Sequence, residues 1–462
     1  MSATTNRDGF SVPGPDRRPR TVDVLVIGAG PAGLAAAARL AAAGAGAVEV
    51  VDREEQAGGV PRHCYHSGFG LRELRRPMSG PAYARHWCDL ATGAGAALRT
   101  GVSVTGWSGR LGRDGRTAPT GSPGPAGSPA PAGNLGPAGS PGPLAVDTTG
   151  PDGLERITAG AVVLATGARE RPRSARLVPG TRPAGVFTTG ELQQAVHLHH
   201  QRIGLRAVVV GAEPVGYSAV RTLRGAGVEV AAMVTDQPRH QSSWASGLGA
   251  RLHHRVPLLT GTTVTELLGR GRLSGVALRH ADGRTTTVAC DTVVFTGDWI
   301  PDHELARLGA IALDRGTRGP AVDTAFRTAA AGVFAVGNLL HAVEPAGTAA
   351  REGRLVAGPV LRYLADGVWP GGQVPVEVDA PLRWVAPNRI DPRGPRPPLG
   401  RFTLRTTRTA GRLSALVVTQ DGRLLHRERL RRAAVPNRPL YASADWIDRA
   451  RPDGGPVVIS AG

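Results

Sequence analysis

The chain has 462 residues, enough for two or three domains and a large buried core. Its net charge is +18 and every basic side chain is arginine; these are scattered, and aromatic residues make up only 4%, which speaks against a nucleic-acid surface with its basic stripe and stacking rings. Cys64, Cys88 and Cys290 lie far apart and supply no disulfide framework, no zinc ligand set and no four-ligand iron–sulfur site, so no metal centre is expected.

Residues 1–20 are polar and Pro-rich and are expected to form a disordered leader. Arg17-Arg18 ahead of the apolar run 22–27 is not read as an export signal, because that run ends in Gly28-Ala29-Gly30 like a strand entering a turn. No apolar stretch is long enough to span a membrane, and a cytoplasmic location is expected. A first βαβ unit then runs from about residue 21 to 53. Its strand leads into Gly28-Ala29-Gly30-Pro31-Ala32-Gly33, an Ala-rich helix and a second strand ending at Asp52-Arg53. Gly28 permits the tight turn, Gly30 lets a pyrophosphate approach the backbone, and Gly33 lets helix and sheet pack closely. The helix N-terminus offers free N–H groups to phosphates. Asp52, 24 residues after Gly28, stands where an acid meets the ribose hydroxyls.

Gly58-Gly59 follow as a backbone-only passage beside a bulky ligand. Between 109 and 143 glycine recurs at collagen-like spacing, but so short a run inside a globular chain reads as a solvated loop insertion. The apolar strand 157–164 ends at Ala165-Thr166-Gly167, and this turn resembles the ATG turn of flavoproteins that bind two dinucleotides. A second βαβ unit opens at Arg206. Its turn reads Gly211-Ala212-Glu213-Pro214-Val215-Gly216, and Glu213 stands where a middle glycine would admit a pyrophosphate. Its carboxylate and Cβ make NAD(P) binding doubtful there. The segment VFAVGN (333–338) resembles the late flavin motif, with Asn338 after Gly337 in place of the usual aspartate. An amide there still bonds a ribityl hydroxyl, and a helix after Pro345 would aim its N-terminal amides at the flavin N1–C2=O edge. Beyond about 371 short strands with an Asp-Gly turn form a β-rich tail.

With these segments, GGVPRHCYHSGFGLRELRRPMSGPAYA (58–84), LATGARERP (164–172) and VFTGDWIPD (294–302), the chain resembles the FAD/NAD(P)-dependent oxidoreductases of the pyridine-nucleotide-disulfide-reductase superfamily. It looks most similar to flavoprotein subunits of dehydrogenases for sarcosine, opines, hydroxyproline or glycerol 3-phosphate. The resemblance implies an α/β fold with two Rossmann-like dinucleotide-binding domains, the second inserted in the first. The expected division is 21–200 and 291–370 for the FAD-binding domain, 201–290 for the NAD(P)-binding-like domain and 371–462 for the β-rich domain. The implied cofactor is FAD. Cys64 has no second cysteine nearby, which excludes the dithiol exchange of disulfide reductases. His341 and His66 fall in segments that the resemblance places near the flavin, and either would serve as the base when hydride passes to N5. The implied partners are a small-molecule substrate and a second subunit or electron-acceptor protein. An NAD(P)H-dependent reductase and a non-catalytic flavin-bearing scaffold are the alternatives.

Overall fold

A computed structural model describes residues 3–5, 11–13, 17–111, 117–118, 143–242, 256–409, 415–430 and 433–462. Half of the expected leader and most of the low-complexity segment lie outside these residues; within the leader Ala3–Thr5 pairs antiparallel with Ser11–Pro13 and Arg18–Arg20 join a sheet, so these parts are ordered where disorder was expected. The strand Arg18–Ile27 starts before the apolar run; its exposed Arg18–Thr21 end pairs with 155–158 while Val24–Ile27 are buried. It forms the middle of a seven-stranded sheet. Parallel neighbours on one side are Val48–Asp52 and Ala97–Thr100. On the other side lies Gly153–Leu164, twelve residues long. That strand is long enough to serve two partners along its outer edge. Its first half pairs antiparallel with Leu144–Gly150, and its last three residues pair parallel with Val333–Ala335.

The return of Val333–Ala335 to this sheet follows an excursion through a second one. Val186–Thr188, Thr292–Phe295, Arg206–Val210, Glu229–Val234 and Leu258–Leu259 form a five-stranded parallel sheet in that spatial order. Helix Pro214–Gly225 covers it through Ala219, Val220 and Leu223, which are fully buried at i, i+1 and i+4. A short antiparallel ribbon, Ala168–Glu170 with Trp299–Pro301, joins the outgoing and incoming crossovers.

Helix Ala346–Asp366 lies across helix Pro31–Ala42. The crossing is close because Gly353 faces the Ala32 carbonyl, where a Cβ would collide. After this helix two further sheets enclose a separate core that includes Phe402, Leu404, Leu416, Trp446, Val457 and Ile459. The strand Arg401–Thr406 belongs to the three-stranded one, between Leu382–Ala386 and Leu440–Ser443. Among the described residues no helix is long and apolar enough to cross a membrane.

Candidate functional site: a cleft shared by three sheets

The strand-to-helix bends of the seven-stranded and five-stranded sheets and one face of the C-terminal sheet border a single cleft of about 2400 Å³. At the first bend Gly28 adopts φ +108° and Gly59 φ +61°, conformations that a side chain would strain. Gly59 packs on Gly30, with the position of its missing Cβ only 2.8 Å from the Gly30 Cα. The Cβ position of Gly30 itself has nothing within 4 Å and faces the cleft. Gly30 also caps the helix Pro31–Ala42 without any side chain, so the first-turn N–H groups keep no capping acceptor.

Asp52 borders the cleft at the end of its strand. Its Oδ2 accepts the Ala29 N–H at 2.6 Å and its Oδ1 the Glu54 N–H at 2.8 Å. Each oxygen retains a lone pair for a ribose hydroxyl. Arg53 reaches Asp302 at 3.4 Å, and the Thr166 hydroxyl donates to the Asp302 carbonyl at 2.7 Å. Ala165, Thr166 and Gly167 thus form the facing lip, with Pro31, Ala32, Asn338 and Pro345 also on the cleft surface. Gly33, Gly58 and Gly337 sit behind it, packed on Gly28, Ala84 and Ala32, and Ala29 is buried with them. An open backbone cradle, unpaired amides at a helix N-terminus and a carboxylate at the strand end fit a dinucleotide.

Asn338 does something other than expected. Its Oδ1 accepts the Glu344 N–H at 2.8 Å and its Nδ2 donates to the Glu344 carbonyl at 3.1 Å. An aspartate would make the first bond and repel the second acceptor, so the amide is what closes this loop. The loop delivers Pro345 as the cap of helix Ala346–Asp366, whose first turn opens on the cleft.

The two histidines part company. His66 borders the cleft, stacked on Phe69 at 5.1 Å, with Nδ1 3.1 Å from the Ser67 carbonyl. Burial lowers its pKa, the Ser67 contact opposes this, and Arg221 reinforces it. His341 is 3% exposed and does not reach this cleft. Its Nε2 lies 2.8 Å from Glu352 Oε1, and Glu352 Oε2 accepts the Gly337 N–H at 3.0 Å. Burial alone would lower the His341 pKa, but Glu352 holds it above the ordinary value. His341 therefore props the turn behind the site.

At the second bend Glu213 is 4% exposed and its Oε1 accepts the Thr296 hydroxyl. The carboxyl folds back over the turn, 2.7 Å from the Cβ position of Gly211 and 2.9 Å from that of Gly297. Burial pushes its pKa up. Glu170 beside it, pushed up to about 7 by burial with Glu213 adding to the effect, accepts the Gly190 and Gly297 N–H groups at 2.8 and 3.3 Å. The space over this turn is filled by acid side chains, which does not fit a pyrophosphate.

Sequence reasoning missed several cleft residues. Cys64 donates to Gln193 Oε1 at 3.2 Å, Gln193 donates to Ser218 at 2.9 Å, and burial pushes the Cys64 thiol up to about 12, keeping it protonated. Glu344 and Arg405 form a buried ion pair on the cleft surface, Arg405 also donating to the Val343 carbonyl at 3.1 Å. No local spacing links Glu344 to Arg405; only the alternation in RFTLRT hinted at a strand with one polar face.

Residues 23–98 match the FAD binding domain family, and residues 137–353 match the pyridine nucleotide-disulphide oxidoreductase family. The alpha subunit of sarcosine oxidase from Rhizobium meliloti is 29% identical over 243 residues, covering 51% of this chain and 22% of that protein. An opine oxidase subunit from Agrobacterium tumefaciens is 28% identical over 366 residues, covering 74% of this chain and 65% of that one. The chain thus spans less than two thirds of either relative. Thioredoxin reductase from T. acidophilum superposes with a TM-score of 0.59 at 20% identity, over 76% of this chain and all of that one. L-proline dehydrogenase from P. horikoshii does so with a TM-score of 0.52 at 17% identity, over 76% of this chain and 57% of that one. These two likenesses establish the fold alone.

Proposed function

We propose that this chain, whose segments match the FAD binding domain and pyridine nucleotide-disulphide oxidoreductase families, is an FAD-dependent oxidoreductase that takes a hydride from a C–H bond beside nitrogen or oxygen in a small amino- or hydroxy-compound, as a dehydrogenase or as the flavin subunit of one. The observation that carries this reading is the contrast between the two bends. The first is an open cradle on the cleft, whereas the second is filled by Glu213. An electron pair from NAD(P)H has no seat at the second bend, so reducing equivalents enter from a substrate in the same cleft. They leave to a partner subunit, an electron-transfer protein, a quinone or oxygen. That the relatives are oxidase subunits, one for sarcosine and one for opines, supports both the substrate class and a partner subunit.

FAD supplies a two-electron acceptor when bound. The chain's own groups do the rest. The amides after Gly30 would hold the phosphates and Asp52 the ribose. The first turn of helix Ala346–Asp366 presents a partial positive charge to the cleft. His66, kept neutral by its lowered pKa, takes the proton that leaves nitrogen or oxygen as the adjacent C–H bond breaks.

The test is anaerobic bleaching of the bound flavin. The panel comprises amino acids, N-alkyl and N-carboxyalkyl amino acids, hydroxy acids and polyol phosphates, with NADH and NADPH alongside. Bleaching by an amino or hydroxy compound and none by the nicotinamides is the expected result. Rapid bleaching by NADH or NADPH would reassign the chain as a reductase. If nothing bleaches the flavin until a second subunit is added, the chain is a scaffold for its cofactor.

A further inference from the structure

Side chains of the strand Arg401–Thr406 alternate between its two sides, as the period of a strand requires. Phe402 and Leu404 are 0% exposed in the C-terminal core, while Arg401, Thr403 and Arg405 all border the cleft. Arg405 is neutralised by Glu344. Arg401 is not: among the described residues it has no ion-pair or hydrogen-bond partner, and its guanidinium lies 3.4 Å over the ring centroid of Tyr441. Tyr441 stands directly opposite Thr403 on the neighbouring strand and also borders the cleft. The hydroxyls of Thr403 and Tyr441 have no hydrogen-bond partner among the described residues. The carboxylate on this wall, Glu428, accepts the Ser443 N–H at 3.0 Å and lies 3.9 Å from His426.

The strand Arg401–Thr406 therefore offers one unpaired planar fork of N–H donors, stacked on a ring that fixes its orientation, beside two hydroxyl donors. We propose that Arg401, with the Thr403 and Tyr441 hydroxyls, binds the carboxylate of the substrate. The substrates of this chain are then carboxylate-bearing amines or hydroxy acids, rather than simple amines or polyol phosphates. A planar guanidinium fork matches the two oxygens of a carboxylate in a bidentate pair, and the two hydroxyls beside it add donors to the same group. The wall is tied to the loop before Pro345 through the Arg405–Val343 and Arg405–Glu344 contacts. The assignment of this anion as the oxidised substrate rests on the flavin reading above.

The experiment titrates the purified full chain with acetate, methylammonium and inorganic phosphate at constant ionic strength. Binding is read by saturation transfer to the ligand protons, by phosphorus line width for phosphate, and by the visible spectrum of the flavin. Saturable acetate binding is expected, with methylammonium and phosphate weaker. Arg401→Met is expected to weaken acetate binding at least about tenfold, the scale of a lost charge-assisted hydrogen bond. Arg401→Lys should restore part of it, because the charge returns without the fork. Equal acetate binding in the wild type and Arg401→Met, or phosphate binding more tightly than acetate, would overturn the proposal. If the preparation is colourless and takes up no flavin, yet loses acetate binding in Arg401→Met, the carboxylate site stands and the flavin reading falls.

Discussion

Gly30 is defined by what surrounds its missing side chain. Gly59 leans on its Cα, yet the direction its own Cβ would take is open to the cleft. The Cβ of a valine there has no protein atom within 4 Å and points into the place a pyrophosphate needs, so Gly30→Val should fold and purify colourless. A flavin-to-protein absorbance ratio equal to that of the wild type would show that the cofactor lies elsewhere. His66 carries the second prediction at this scale. A base works only when deprotonated, and the His66 pKa lies below its ordinary value of 6.5. Turnover should therefore hold steady through neutral pH and fall only at pH values below the ordinary histidine range. His66→Gln should lower kcat by roughly a hundredfold or more and abolish that acid limb, as a pH profile of kcat/KM would reveal. An unchanged profile would remove His66 from the chemistry.

Among the elements, the crossing of helices Pro31–Ala42 and Ala346–Asp366 governs whether the two halves of the site meet. The first helix carries the glycine bend, the second begins at Pro345, and they touch where Gly353 lies on the Ala32 carbonyl. A larger side chain must push the backbones apart, because a buried carbonyl cannot yield as a flexible side chain does. Gly353→Leu should cost about 1–3 kcal/mol or more in denaturant unfolding and reduce flavin content, although position 353 does not line the cleft. Full flavin content in a destabilised variant would show that the crossing supports the fold without setting the site. Pairing between elements follows the same economy. The strand Gly153–Leu164 accepts Leu144–Gly150 and Val333–Ala335 along one edge only because its length divides between them.

For the molecule as a whole, the C-terminal sheet is part of the cleft and not an appendage. The Glu344–Arg405 pair joins two separately cored regions, with side chains only 3% and 6% exposed. Removing one partner of such a pair strands a buried charge. Arg405→Met should therefore cost about 3–5 kcal/mol, measured by denaturant unfolding, and the double variant with Glu344→Gln should recover most of that loss. Additive effects of the two substitutions would mean that the pair is not coupled.

Much of this organisation was legible before any coordinates. The glycine bend, Asp52, the Ala165–Gly167 turn and the helix after Pro345 are local patterns, set by periodicity and by glycines at fixed offsets. The sequence alone determined where nucleotide-type bends occur, and it flagged Glu213 as unsuited to phosphate. Tertiary structure decided what those residues face. It turned His341 inward to Glu352, set the Asn338 amide across its own loop, and brought Arg401 and Arg405 to the cleft from the far end of the chain. The physical reason is separation. A bend is closed by hydrogen bonds within a few residues, whereas an ion pair 61 residues apart, such as Glu344–Arg405, forms only when independently folded sheets dock.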